Sequence, residues 1–305
     1  MVSSTGCRRA ADNLPPPPGV KLGRGAASRT TRDSLGTHQG QRPSREGAPS
    51  LAFQRFAKAT GHLYSTALNP NVIVGSMSEG PWILPALARR RWGRVDLDAL
   101  ARADFPATEG TNPLNDPVVC GEWVRRVAAR AGAHYCWGGW LEDRAHLWRG
   151  HYLPTGCTTH LGIDLNAPAE TLVLSPVSGE VVLMARSHAP VGGWGGWLVV
   201  RADRAEGGAA YVLIGHLAHA GLPPAGARIT RGASIGVIGS PEENGGWHPH
   251  LHLQAITGEA WEAVSRAPDL LLDGYSYPGA ALRRLYPDPA PLTGLASVAI
   301  GIQAP

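Results

Sequence analysis

The stretch His250-Leu-His-Leu-Gln-Ala-Ile256 alternates polar and apolar side chains over its first five residues. Residues two apart in a β-strand face the same side of the sheet, so this alternation predicts a strand. The two imidazoles would then share one face, while Leu251 and Leu253 would point into a hydrophobic core. The stretch predicts both a β-rich fold and a polar site on one face of its sheet.

Similar short runs rich in β-forming residues recur upstream of this stretch. Turns that carry Gly or Pro separate them, as expected for consecutive strands. The runs are Thr171–Leu174, Glu180–Met184, Trp197–Val200, Ala210–Ile214 and Ser234–Ile238. Strands at this spacing predict a mainly β protein with an antiparallel sandwich or barrel-like core.

Helical patterns flank the predicted strands on both sides. The clearest covers Cys120–Gly132, because Trp123, Val127 and Ala131 repeat every four residues and a glycine follows them. Weaker helical patterns occur at residues 51–58, 82–92, 261–264 and 280–285.

Composition and pattern together divide the chain into four parts. The first 50 residues are rich in Ser, Thr, Gly, Pro and Arg and have no apolar period, which is typical of disorder. The predicted parts are a disordered tail (1–50), a helical extension (51–132), a β domain (133–258) and a helical, Pro-rich C-terminal extension (259–305).

The net charge of +4 comes from the predicted tail. The first 50 residues hold eight Arg or Lys and three Asp or Glu, which leaves 20 basic and 21 acidic residues elsewhere. Nucleic-acid binding needs basic residues clustered on a folded face. The short runs Arg89–Arg91 and Arg125–Arg126 are more typical of solvated helix faces, so we expect no nucleic-acid partner.

The sequence contains no hydrophobic segment of membrane-spanning length. No stretch reaches the roughly 18 apolar residues that a span needs, so we expect no membrane span. Arg8 and Arg9 are not followed by the apolar run of about 7–15 residues that a secretory signal contains. This favours a cytoplasmic location, and the sequence leaves the oligomeric state open.

The four cysteines are spaced too widely for a zinc knuckle or a disulfide framework. They are Cys7, Cys120, Cys136 and Cys157. We expect free thiols, although a Cys120–Cys136 or Cys136–Cys157 bridge stays open for an exported protein. Cys157 stands three residues before His160, so a role as an extra metal ligand also stays open.

Histidines and one aspartate form three short strings that predict a metal site. His160 and Asp164 stand four residues apart, with Gly162 between them to permit a tight turn. His216 follows a predicted strand, and His250 and His252 share a strand face. Zinc prefers imidazole and carboxylate ligands, and a catalytic site leaves one position for water. One histidine among 12 signifies little, but the set together predicts a shared zinc site with spare histidines beside it.

These strings resemble the lysostaphin-type (LytM) zinc metallopeptidases over about residues 155–258. The matching segments are His160–Asp164, Ser175–Val181, Ile214–Leu217, Arg231–Gly239 and His250–Gln254. The resemblance implies a duplicated hybrid motif fold. It also implies a zinc-dependent endopeptidase that uses metal-activated water on peptidoglycan cross-bridges or Gly- and Ala-rich peptides, which would allow action outside the cytoplasm.

The resemblance also implies a role for each of the five residues. His160, Asp164 and His252 would be the zinc ligands, and His216 and His250 the catalytic histidines. We expect His250 to be the general base and His216 to contact the water or the developing oxyanion, although the sequence does not fix which does which. His248 is expected to be a neighbour rather than a ligand.

A narrower resemblance is to the peptidase module of composite bacterial proteins. Those proteins also carry a phosphotransferase domain and a class III aminotransferase domain, and this chain has motifs of neither. The similar residues are Gly239–His252, with weaker similarity in the helix at 120–132 and in Gly138–Arg144.

Two other functions remain open at this point. A non-catalytic peptide- or glycan-binding module could keep the same fold. A phosphocarrier similar to sugar-transport enzyme IIA domains would use a histidine pair, but it needs no carboxylate ligand, so Asp164 disfavours it. The loops Gly192–Trp197 and Asn244–Trp247 are either walls of a substrate groove or turns that each pack one tryptophan.

Overall fold

The computed structural model describes residues 78–266 and 272–296. The predicted tail at 1–50 and the predicted helix at 51–58 lie outside these residues. Within them, the protein is mainly β, as the sequence predicts. No helix in this part of the chain is long and apolar enough to cross a membrane.

Thirteen strands and four α-helices occur in the described residues. The strands are β1 (Ser78–Glu79), β2 (Arg91–Arg94), β3 (Tyr135–Gly138), β4 (Thr159–His160), β5 (Ile163–Asn166), β6 (Leu172–Leu174), β7 (Gly179–Arg186), β8 (Gly196–Glu206), β9 (Ala209–Leu217), β10 (Arg228–Ile229), β11 (Ser234–Val237), β12 (Leu251–Ile256) and β13 (Tyr275–Ser276). The helices are α1 (Leu97–Asp104), α2 (Pro117–Arg130), α3 (Gly258–Arg266) and α4 (Leu282–Leu285). Short 3-10 helices lie at Pro113–Asn115 and Ala290–Thr293.

Nine strands form one sheet, in the order β1-β2-β3-β5-β12-β9-β8-β7-β10. Neighbours are antiparallel except β2 and β3, which are parallel. The prediction of an antiparallel, barrel-like core is therefore wrong in part: the sheet is mixed, and in the described residues β1 and β10 end it without closing a barrel. The parallel pair arises because the chain passes through α1 and α2 between β2 and β3, and parallel strands need such a crossover.

The clearest predicted helix is confirmed as α2. Its start is fixed by Asp116, whose side chain accepts hydrogen bonds from the amides of Val118 and Val119. The helical patterns at 261–264 and 280–285 fall on α3 and α4. The helix predicted at 82–92 is wrong, because residues 82–90 form turns and β2 follows. Trp92 is fully buried in β2, which pairs on both sides, so tertiary pairing overrides the local pattern.

The central strand β12 is buried on both of its faces. Leu251 and Leu253 are fully buried in the main core, as the alternation predicts. His252 and Gln254 on the other face are also buried, whereas the sequence suggests a face open to a cleft. A second apolar cluster is built from α1, α2, Trp148 and Trp247. Three cysteines are buried and form no disulfide within the described residues: Cys120, Cys136 and Cys157.

Pairing of β12 with its two neighbours brings distant segments together. His252 stands opposite Asp164 of β5 on one side and opposite Gly215 of β9 on the other. A residue 88 positions away in the sequence thereby becomes a direct neighbour of His252. The sheet register sets the geometry of the candidate site.

Gly162 is required between β4 and β5 because there is no space for a side chain. A Cβ there would lie 2.5 Å from the Leu253 carbonyl oxygen and 2.6 Å from His252 Nε2. We expect Gly162→Ala to lower the free energy of unfolding by about 1–3 kcal/mol, since overpacking of a rigid interior costs that much. Chemical denaturation of the two proteins measures the difference.

Gly258→Ala is the matched control, since a Cβ at Gly258 meets no atom within 4 Å. Its unfolding free energy should stay close to that of the wild type. Equal stability of the Gly162→Ala and Gly258→Ala variants would contradict the claimed close approach of β12 to Gly162.

Candidate active site

Three ligand atoms from β4, β5 and β12 converge on one point. His160 Nε2 lies 3.0 Å from His252 Nδ1 and 3.5 Å from Asp164 Oδ1, and His252 Nδ1 lies 3.2 Å from Asp164 Oδ1. Each of the three side chains is at least 98% buried. They form a group that could hold a metal ion, with ligand atoms all within 4.8 Å of one another.

These separations fit zinc. Zinc binds imidazole nitrogen and carboxylate oxygen at about 2.0–2.1 Å in a tetrahedral shell, whose corners are then about 3.3 Å apart. The three observed separations of 3.0, 3.2 and 3.5 Å bracket that value. Two imidazoles and one carboxylate would occupy three corners and leave the fourth for a water or a substrate.

The hydrogen bonds of the two imidazoles show which nitrogen faces the centre. His160 Nδ1 donates to the Gly139 carbonyl oxygen at 2.9 Å, and His252 Nε2 donates to Gln254 Oε1 at 3.1 Å. The amide of Gln254 is oriented in turn by donation to the Asp273 carbonyl oxygen at 3.4 Å. His160 Nε2 and His252 Nδ1 are therefore lone-pair atoms in the neutral rings.

In these tautomers, three electron-rich atoms face one another without a proton between them. Such an arrangement of buried acceptors is unfavourable unless a positive charge lies among them. Outer hydrogen bonds that fix the tautomer of each imidazole are also the usual support of metal-binding histidines. The donor set, its spacing and its tautomers all suit a divalent cation.

Asp164 has a second partner that the sequence did not predict. Its Oδ2 accepts a hydrogen bond from Arg144 Nη1 at 2.6 Å, and both side chains are 1% exposed. Burial alone would raise the pKa of Asp164, but the neighbouring His160 and Arg144 hold it well below its usual range. The carboxylate is ionised as a ligand must be. No local pattern marked Arg144, whose segment was noted only for its resemblance.

The two remaining histidines lie beside this group. The ring centroids of His216 and His250 are 4.3 Å apart, and His250 Nε2 lies 3.9 Å from Asp164 Oδ1. His216 lies near the end of β9. His250 immediately precedes β12 and is not part of that strand. The structure therefore brings together all five residues that the sequence selected.

His216 and His250 share one tautomer. His216 Nδ1 donates to the Asn244 carbonyl oxygen at 2.7 Å, and His250 Nδ1 donates to the His248 carbonyl oxygen at 2.8 Å. Because a carbonyl only accepts, the proton sits on Nδ1 and Nε2 keeps its lone pair. Burial lowers the pKa of both imidazoles, that of His216 to well below its usual range. Both are neutral at pH 7 and able to accept a proton.

The backbone is strained at His216. Its φ is 63°, in the left-handed region that non-glycine residues avoid at a cost of about 1–2 kcal/mol. The preceding Gly215 has no space for a Cβ, because the ring of Trp194 would lie 2.5 Å from it. The end of β9 is thereby held against Trp194, whose ring centroid is 5.3 Å from that of His216.

The two Gly- and Trp-rich loops pack their tryptophans against the site. Trp247 is buried, donates to the Leu114 carbonyl oxygen at 2.9 Å and lies 5.0 Å from the ring of His250. Trp194 is half-buried and lies 4.9 Å from the ring of His252. Both tryptophans therefore act as packed supports. His248 is buried 5.2 Å from His250 and is not part of the three-ligand group, nor is Cys157.

Part of this chain is similar to known peptidases. Residues 158–263 match the model of peptidase family M23. No curated protein matches the chain. One similar solved structure is the catalytic domain of lysostaphin, an antimicrobial peptidase from Staphylococcus simulans, at 17% identity, with 57% of this chain and 97% of that chain covered and a TM-score of 0.31.

Two further structures show the same kind of similarity. A mutant catalytic domain of the prophage-encoded M23 protein EnpA from Enterococcus faecalis is 24% identical over 33% of this chain and 69% of that chain, with a TM-score of 0.27. A zinc-containing peptidase from Vibrio cholerae is 24% identical over 32% of this chain, with a TM-score of 0.26. This chain covers 26% of the Vibrio protein. Residues 158–263, which contain all five site residues, thus match an M23 peptidase domain.

Proposed function

We propose that this protein is a zinc-dependent endopeptidase that hydrolyses peptide bonds in peptidoglycan cross-bridges or other Gly- and Ala-rich peptides. The main observation behind the proposal is that the rings of His216 and His250, each with a lone pair on Nε2, lie beside a buried group of three donor atoms. The match to peptidase family M23 over residues 158–263 supports the reaction class. The substrate class follows from the family resemblance.

His160, Asp164 and His252 would hold the zinc ion. When bound, zinc would polarise the scissile carbonyl and lower the pKa of a coordinated water from 15.7 toward about 7. The three side chains supply a net charge of −1, and their outer hydrogen bonds hold each ligand atom toward the centre. All three side chains are shielded from bulk water.

His250 is the better general base of the two histidines. It is neutral, its Nε2 is free to accept the proton of the attacking water, and its Nδ1–H is anchored on the His248 carbonyl oxygen. That anchor keeps the ring in place and stabilises the imidazolium that forms. His250 Nε2 could then return the proton to the leaving amine.

His216 has the same tautomer as His250, but its pKa is held well below its usual range. With Nδ1–H committed to the Asn244 carbonyl oxygen, the neutral ring offers only a lone pair at Nε2. It can orient the attacking water by accepting a hydrogen bond, but it can donate to an oxyanion only after Nε2 is protonated. Because the pKa of His216 is held well below its usual range, we assign His216 to the water rather than to the oxyanion.

Removal of any zinc ligand should abolish stoichiometric zinc binding. We expect about one zinc per wild-type chain after dialysis, and far less for His160→Ala, Asp164→Ala or His252→Ala, since each removes one of three protein ligands. Elemental analysis of purified protein measures this. His188→Ala, at an exposed histidine, is the control and should keep its zinc. Full zinc content in a ligand variant would show that the ion binds elsewhere.

Removal of either catalytic histidine should spare the metal and stop the reaction. His250→Ala and His216→Ala should keep their zinc but lower kcat/KM by at least about 100-fold, as for other acid–base groups. Cleavage of peptidoglycan and of oligoglycine, with and without a chelator, provides the assay. Wild-type activity in either variant would remove that residue from the mechanism. Full zinc content with no cleavage by the wild type would favour a binding module.

A further inference from the structure

A side chain upstream of the M23 match contacts the metal-binding carboxylate. Arg144 precedes residue 158, where the match begins, in the loop that follows β3. Its backbone amide donates to the Thr158 carbonyl oxygen at 2.9 Å, which joins this loop to the start of β4. Its side chain is fully buried and reaches Asp164 Oδ2 at 2.6 Å.

The two oxygens of Asp164 therefore have separate partners. Oδ1 faces His160 Nε2 and His252 Nδ1 at 3.5 and 3.2 Å, whereas Oδ2 is held by Arg144 Nη1. A free carboxylate can rotate and present either oxygen, or both, to a cation. A strong charge-assisted hydrogen bond on Oδ2 leaves Oδ1 as the oxygen directed at the histidines.

The guanidinium of Arg144 is itself held in place from several directions. Nη1 also lies 3.2 Å from the hydroxyl oxygen of Tyr275, which accepts a hydrogen bond from Trp148 Nε1 at 2.6 Å. Nε lies 3.4 Å from Glu142 Oε1. Gly139, whose φ is 103°, allows the close packing, because a Cβ there would clash with Arg144 Nη2 and lie 2.7 Å from His160 Nδ1.

The same loop is fastened to helix α1. Glu142 Oε1 accepts a hydrogen bond from the amide of Asp98 in the first turn of α1 at 2.9 Å. Asp98 Oδ1 accepts in return from the amide of Leu147 at 2.7 Å. The helix thus holds both ends of the short segment that carries Arg144.

We propose that Arg144 is a positioning residue for the metal site, and that the loop and helix α1 upstream of residue 158 are part of the working peptidase. Arg144 orients Asp164 so that Oδ1 completes the three-donor group. This inference rests on the proposed function, in that it requires zinc at His160, Asp164 and His252.

Charge and positioning predict opposite effects of removing Arg144. A fixed positive charge beside a divalent cation repels it, so a role through charge alone predicts tighter zinc binding without the guanidinium. A positioning role predicts weaker binding, because Asp164 is then free to turn away. The direction of the change in zinc affinity separates the two.

The experiment measures zinc Kd by competition with a chromogenic chelator for the wild type, Arg144→Met and Arg144→Lys. We expect Arg144→Met to bind zinc about 10–100-fold more weakly, the usual effect of losing an outer partner of a metal ligand. Arg144→Lys should lose less, since an ammonium can keep one contact with Asp164. Circular dichroism and a cooperative thermal transition, both recorded before zinc is added, establish that each protein is folded.

Arg130→Met is the matched control. It removes another largely buried Arg–Asp pair, in which Arg130 Nη2 of α2 lies 2.5 Å from Asp104 Oδ2 of α1. It should lower thermal stability and leave the zinc Kd unchanged. An equal loss of affinity in Arg130→Met would overturn the proposal, because it would reveal a general effect of destabilisation.

The proposal is also overturned if the Arg144→Met variant binds zinc as tightly as the wild type, or more tightly. If the methionine variant does not fold, Arg144→Lys decides, and unchanged affinity there overturns it. A wild-type protein that binds no zinc would instead refute the proposed function itself and this inference with it. The two failures are therefore distinguished by the wild-type measurement alone.

Discussion

The placement of β12 between β5 and β9 is the constraint on which the rest of the site depends. It sets His252 opposite Asp164 on one side and opposite Gly215, the neighbour of His216, on the other. A shift of one residue in either register would turn His252 toward the core and Leu251 or Leu253 toward the site. Such a shift is unfavourable, because it would move the imidazole of His252 into the apolar core and away from its hydrogen-bond partners. The sheet register therefore fixes the ligand geometry.

Burying the charge of Asp164 requires compensation, and Arg144 in the loop after β3 provides it. Asp164 and Glu142 are the acidic neighbours of Arg144. Burial raises the pKa of Glu142 to about 7, because the positive charge of Arg144 only partly offsets the effect of burial. Near neutral pH the guanidinium therefore depends mostly on Asp164 for its counter-charge. Leaving one member of a buried ion pair without its partner typically costs about 3–5 kcal/mol. The Asp164 carboxylate, which we propose as a metal ligand, thus also contributes to fold stability through Arg144.

The residues that the sequence selected for the site lie together in the structure, whereas the arrangement of the sheet was missed in part. His250 and His252 stood out because alternation with leucine is a local pattern, and His160 and Asp164 because they are four residues apart. The open, mixed sheet was missed because β2 and β3 pair across two intervening helices, a contact without a local signature. Arg144 was missed for the same physical reason. Its role depends on contacts with Asp164 and Tyr275, 20 and 131 positions away, which spacing alone does not show.

The hydrogen bonds of the histidines determine which nitrogen of each ring keeps its lone pair. His160 presents Nε2 to the centre and His252 presents Nδ1, since each has its other nitrogen committed to an acceptor. His216 and His250 both commit Nδ1 to backbone carbonyls. Those carbonyls belong to Asn244 and His248, so one short segment sets the tautomer of both imidazoles. A proton accepted by either ring must therefore enter at Nε2, which in His250 lies 3.9 Å from Asp164 Oδ1 and so beside the three-donor group.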